Sequence, residues 1–137
     1  MKRILAIDFG LKRTGIAITD EMNIIASGLT TVASSELMDY LIDIVSKKDV
    51  GTIVLGEPKR LNMQDSHSSE NVRLLKEALE KQFPTLKIDM MDERFTSKMA
   101  VQSLVDSGVS KKKRRNKELI DEVSATIILQ SYMSSNM

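Results

Sequence analysis

Arg3-Ile4-Leu5-Ala6-Ile7-Asp8-Phe9-Gly10-Leu11-Lys12-Arg13-Thr14-Gly15-Ile16-Ala17-Ile18-Thr19 is the stretch on which the fold turns. Residues 3–8 form a short apolar run without alternation, the mark of a strand buried on both faces. Phe9 to Thr14 reads as a turn, and Gly15 to Thr19 as a second strand. A connection this short permits only antiparallel pairing. Asp20-Glu21-Met22-Asn23 is a second turn, and Ile24 to Val32 a third strand, kinked at Gly28. The first part of the chain is therefore an antiparallel three-strand meander.

Beyond residue 33 the apolar period changes. Ser35 is expected to cap a helix whose buried side carries Leu37, Leu41, Ile44 and Val45. Thr52 to Gly56 is a strand stopped by Pro58, residues 59–67 are a polar loop, and Ser69 caps a second helix with Val72, Leu75, Leu79 and Phe83 inward. Leu86 to Asp92 is a fifth strand. Thr96 caps a further helix with Met99, Ala100 and Leu104 inward, ended by Gly108. A last helix runs from about Lys117 to Met133. The fourth and fifth strands each follow a helix, so right-handed crossovers make them parallel. The expectation is an α/β fold with a mixed five-stranded sheet flanked by helices, forming one domain over 1–137.

Composition narrows the function classes. The chain has no cysteine, which excludes disulfides, zinc–thiolate sites and thiol nucleophiles. No segment approaches the roughly 18–20 apolar residues of a membrane span, and Asp8 cuts the first apolar run too short for a signal peptide. A cytoplasmic protein without a membrane partner is expected. The net charge of +1 says nothing about nucleic acid, but Lys111, Lys112, Lys113, Arg114, Arg115 and Lys117 place six cations in seven positions. Such a run repels itself, is expected to be mobile without a polyanion, and is suited to neutralising phosphates.

The chemistry lies in acidic residues placed where regular elements end or turn inward. Asp8 ends the first strand, with Gly10 two residues on to let a ligand approach the backbone. On a helical wheel with Ile120 at zero, Val123 and Ile127 fall at about 300° and 340° and mark a core face. Asp121 falls at about 100°, bordering it between Ile128 and Tyr132, and Glu122 at about 200°, on the back. Ser124 and Ala125 are small enough to let the helix approach a sheet closely. At the end of the fifth strand, alternation puts Asp92 and Glu93 on opposite faces, so only one joins Asp8. Periodicity leaves open which one. Lys12 and Arg13, in the turn beside Asp8, are suited to phosphate oxygens, and Arg94 either contacts phosphate or pairs with Asp92. His67, the single histidine, sits in the polar loop.

Asp8-Phe9-Gly10-Leu11-Lys12-Arg13-Thr14-Gly15-Ile16-Ala17 resembles the opening D-x-G-x-K-R-x-G-x-A of the YqgF/RuvX-type proteins. Further matches are Gly56-Glu57-Pro58 with Leu61-Asn62-Met63, then Asp92-Glu93-Arg94-Phe95-Thr96-Ser97, and finally Lys117 with Ile120 to Ala125 before Ile128-Leu129-Gln130. Four motifs in register cover essentially the whole chain. Members of that family are described as Holliday junction resolvase candidates and as nucleases that mature precursor 16S rRNA. The resemblance implies an RNase H-like fold and a nuclease whose catalytic and metal-binding acids map to Asp8, Glu93 and Asp121. Glu57 stands where the family usually has an apolar residue, and Gln64-Asp65-Ser66-His67 replaces the usual Asp-Gly-Thr stretch. Both departures fall on the substrate-side loop.

Three converging carboxylates would repel each other, and a divalent cation relieves that repulsion. Two Mg²⁺ or Mn²⁺ ions about 3.5–4 Å apart are the expected cofactor, with Asp8 as the natural bridge. The expected partner is structured nucleic acid, either precursor rRNA or branched DNA, bound through Lys12, Arg13, Arg94 and the run Lys111 to Arg115. Both a monomer and a homodimer are compatible. The principal alternative is a nucleic-acid-binding module of ribosome assembly with little or no catalysis. A sugar-kinase-like ATPase is disfavoured because 137 residues are too few for two such domains and a cleft.

Overall fold

The computed structural model describes residues 2–57, 67–92 and 117–136. Strands β1 (Arg3–Phe9), β2 (Arg13–Thr19) and β3 (Ala26–Ala33) are followed by helix α1 (Leu37–Lys47), strand β4 (Val50–Glu57), helix α2 (His67–Gln82), strand β5 (Lys87–Asp92) and helix α3 (Lys117–Asn136). The five strands form one mixed sheet in the order β3-β2-β1-β4-β5. β1–β2 and β2–β3 are antiparallel, whereas β1–β4 and β4–β5 are parallel. The meander with two parallel additions is the expected architecture, and β1 lies at its centre. The helix expected over 96–108 and the basic run 111–115 lie outside the described residues.

Alternation divides the sheet into two packed faces. Leu5, Ile7, Ile16, Ile18, Ile53 and Leu55 join Leu37, Leu41 and Ile44 of α1 and Val72 and Leu79 of α2 in one core. Ala6, Ala17 and Val54 carry α3 on the other face through Ala125, Ile128, Leu129 and Tyr132. Each fully buried Leu or Ile contributes about 1.5–3 kcal/mol relative to an exposed one. The two faces differ in side-chain size. The α1/α2 face is built from Leu and Ile, whereas the α3 face has small residues on both sheet and helix, so α3 lies close to the backbone.

Several local expectations need correction. The third strand begins at Ala26 rather than Ile24. The Asp20 carboxylate accepts hydrogen bonds from the amides of Ile24 and Ile25, at 2.7 and 3.0 Å, and so withdraws both from the ladder and lengthens the turn. Both isoleucines are left exposed. The kink appears as a β-bulge, because Ile16 pairs with Thr30 and Ala17 with Gly28, leaving Leu29 extra. Ser35 does not cap α1. A 3₁₀ turn, Ser34–Glu36, precedes the helix, and the N-cap residue Glu36 makes no side-chain cap bond. α2 starts at His67, so Ser69 lies inside its first turn rather than before it, and His67 belongs to the helix and not to a loop.

The wheel for α3 also shifts. Ser124, Ala125, Ile128, Leu129 and Tyr132 are the buried residues, whereas Ile120, Val123 and Ile127 are only partly covered. Asp121, at about 100° on the same wheel, therefore lies in the middle of the sheet-facing arc rather than at its border. Bulk misled the reading here. The helix meets the sheet at the small residues Ser124 and Ala125, with Ile128, Leu129 and Tyr132 on the same face, so Ile120, Val123 and Ile127 mark its flank.

Candidate active site

Asp8 enters the site through strand register. It pairs with Gly15 of β2, and residues directly opposite in an antiparallel ladder share a face. Ala6 and Ala17 pair likewise and contact α3. Asp8 is thus the next residue on the α3 face after Ala6, half-buried, near the end of β1 and two residues before Gly10.

Gly15 sets where α3 can lie. A Cβ at this position would fall 2.1 Å from the carbonyl oxygen of Asp121 and 3.0 Å from its Cβ. The helix backbone occupies the space a side chain would need, which is why an interior strand position carries glycine. One residue of the β1–β2 ladder therefore aligns both acids: Asp8 is its strand partner, and Asp121 lies directly over it.

Arg13 completes the group. It lies two residues before Gly15, on the same face, and its Nε donates to Asp121 Oδ2 at 2.8 Å. The side chains are 36% and 21% exposed, so this pair is partly solvated rather than buried. The turn that carries it is fixed from outside. The Ser34 amide donates to the Lys12 carbonyl at 2.9 Å. The Ser34 hydroxyl donates to the Gly10 carbonyl, so the buried Thr14 hydroxyl, 2.8 Å away, must be the donor in the contact between them. Lys12 itself is exposed at the tip.

The structure thus pairs Arg13 with Asp121 and places Asp8 on the same sheet face, opposite the glycine over which Asp121 lies; Lys12 is exposed at the adjoining turn. Glu93, Arg94 and Lys111, Lys112, Lys113, Arg114 and Arg115 lie outside the described residues. Among the described residues, no three acidic or imidazole side chains are grouped as a complete metal site. The donors in place are hard carboxylate oxygens, which suit Mg²⁺ or Mn²⁺, and Asp121 already draws a cation to itself in the form of Arg13. The residues therefore fit the expected ions.

Reading the sequence missed two participants. Gly15 was visible only as part of a motif, although an isolated glycine inside a strand is itself a signal of close backbone approach. Ser34 gave no local signal, since its partners are 20 and 24 residues away.

Residues 2–135 match the family described as "RuvX: Holliday junction resolvase". A protein of Flavobacterium johnsoniae named "Putative pre-16S rRNA nuclease" is 55% identical over 135 residues, covering 98% of each chain. One of the same name from Porphyromonas gingivalis is 50% identical, again over 98% of each. Among solved structures, Thermus thermophilus RuvC in complex with Holliday junction substrate superposes with a TM-score of 0.58 at 12% identity, covering 100% of this chain and 96% of that one. That likeness shows the RNase H-like fold, and the full-length sequence matches show the lineage: this chain belongs to the RuvX nuclease family.

Proposed function

We propose that this protein is a divalent-metal-dependent endonuclease acting on structured RNA, with the 5′ region of precursor 16S rRNA as substrate. The observation that carries the reading is the alignment of Asp8 and Asp121 on one sheet face through Gly15. The names of the full-length relatives support the substrate. Glu93 is proposed as the third acid. Met91 packs on the α3 side while Ile88 and Met90 pack on the other, and strand parity counted from Met91 favours position 93 over 92.

In this reading Asp8, Glu93 and Asp121 hold Mg²⁺ or Mn²⁺. Bound there, the ions supply Lewis acidity that activates the attacking water and neutralises charge on the scissile phosphate. The protein provides placement. Asp8 is fixed by the central strand, paired on both sides by β2 and β4. Asp121 is fixed by the seat of α3 on Gly15. Lys12, exposed at the turn, and Arg94 and the run Lys111 to Arg115 are proposed phosphate contacts, which position the substrate without reading its sequence.

The test incubates purified protein with precursor 16S rRNA fragments and with a four-way DNA junction, in Mg²⁺ and in Mn²⁺, beside Asp8→Asn. Expected are cleavage of the rRNA precursor by wild type, a loss of at least about hundredfold in the variant, and binding by both. Removing one of two neighbouring negative charges should leave the metal-free variant as stable as wild type or more so. Cleavage unaffected by Asp8→Asn would remove Asp8 from the site. Binding without cleavage by wild type would make the protein a binding module.

A further inference from the structure

We infer that Arg13 is the resident counter-ion of Asp121, that a divalent cation must displace it, and that displacement releases the guanidinium toward substrate phosphate. The inference rests on the proposed reading of Asp121 as a metal ligand.

The geometry of the pair points this way. An arginine that locks a carboxylate does so with two parallel bonds, a fork on a fork. Here the contact is one bond, from Nε to Oδ2. Among the described residues, neither the terminal guanidinium nitrogens nor Oδ1 has another hydrogen-bond partner. The bond neutralises charge but uses only part of either group. Both side chains reach solvent, so their attraction is screened and exchange is easy.

The backbone around Arg13 makes the opposite contrast. Ser34 clasps Gly10 and Lys12, and Thr14 is tied to Ser34, so the chain on both sides of Arg13 is fixed. Motion is therefore confined to the long side chain. A cation arriving at Asp8 and Asp121 would meet the guanidinium as a like charge at 2.8 Å from one ligand. It would replace Arg13 on Oδ2, and the freed fork would stay within reach of the same site, where a phosphate brings negative charge. Arg13 is thus a positioning residue before metal entry and a substrate contact after it. Its charge, partly neutralised by Asp121 beforehand, becomes fully available to phosphate when the metal has arrived.

The experiment measures free Mn²⁺ by electron paramagnetic resonance during titration of wild type, Arg13→Gln, Arg13→Lys and Asp121→Asn, with melting curves in chelator for each. Gln keeps most of the packing and removes the charge. Expected is Mn²⁺ binding roughly three- to tenfold tighter in Arg13→Gln, in keeping with a partly exposed charge pair, and a lower melting temperature in chelator than wild type. Arg13→Lys should bind Mn²⁺ close to wild type. Adding Arg13→Gln to Asp121→Asn should change neither Mn²⁺ binding nor melting further. If Asp121→Asn weakens Mn²⁺ binding but Arg13→Gln leaves it unchanged or weaker, this inference fails alone. If wild type binds no more Mn²⁺ than Asp121→Asn, the metal reading fails and takes the inference with it.

Discussion

Asp20 and Asp121 are carboxylates at opposite ends of the same antiparallel strands, and they are satisfied in opposite ways. Asp20 accepts from two backbone amides, Ile24 and Ile25, within its own turn. Those bonds pull its pKa below the ordinary 3.8. Backbone amides cannot move aside or be traded for an ion, so this carboxylate is permanently committed to shaping a turn. Asp121 is held instead by a side chain far away in sequence that can be exchanged for another cation. Two acids of equal intrinsic chemistry thus differ in the mobility of their partners, which suits Asp20 to a structural role and Asp121 to the functional one proposed for it.

The strongest way to break this comparison is at Gly15. Gly15→Ala puts a methyl group 2.1 Å from the Asp121 carbonyl, so α3 must move off its seat. Backbone against backbone cannot give as a flexible side chain can, and a loss of about 3 kcal/mol is expected, read as a lower urea midpoint. Cleavage should fall with it, while the turn at Asp20, at the other end of the sheet, keeps its structure. A variant as stable and active as wild type would show that Gly15 does not set the helix.

Acid titration sharpens the comparison with a smaller effect. The folded pKa of Asp20 lies below its unfolded value, so its stabilisation is complete above about pH 4 and is lost as pH falls through the folded value. Asp20→Asn should therefore melt less steeply with falling pH below about pH 4 than wild type does. Identical pH profiles would mean that the two amide bonds do not favour the charged form.

The smallest effect is expected at Ser124, one turn beyond Asp121. It is 1% exposed, and its hydroxyl has no hydrogen-bond partner among the described residues. Thr126 nearby bonds back to the Glu122 carbonyl, which Ser124 does not do with its own helix. Ser124→Ala should be neutral or stabilising by up to about 1 kcal/mol in thermal unfolding. A clear destabilisation would reveal a partner for this hydroxyl outside the described residues.

Features set by neighbouring residues were legible from the sequence. The meander, the central place of β1 and the inward faces of α1 and α2 follow from apolar runs, short turns and helical spacing. Features set by distant contacts were not. Ser35 looked like a cap because capping is judged locally, whereas the chain enters α1 through a 3₁₀ turn whose first residue, Ser34, is engaged by Gly10. The wheel for α3 was rotated because bulk was taken as burial. The partner surface of Gly15, Gly28, Ala6 and Ala17 rewards small residues instead. Asp8, Arg13 and Asp121 were legible as candidates, but the ion pair of Arg13 with Asp121 was not. A pairing across 108 residues leaves no periodic trace.

That span also has a consequence for the order in which the molecule assembles. Loop closure over so long a separation is entropically costly and comes late, after the local hairpins have formed. During synthesis, β1 and β2 leave the ribosome roughly a hundred residues before the helix that carries Asp121. The sheet can therefore begin to fold before the helix that carries Asp121 is available to dock on it. On the proposed assignment of Asp121 as a metal ligand, activity would await the docking of this helix.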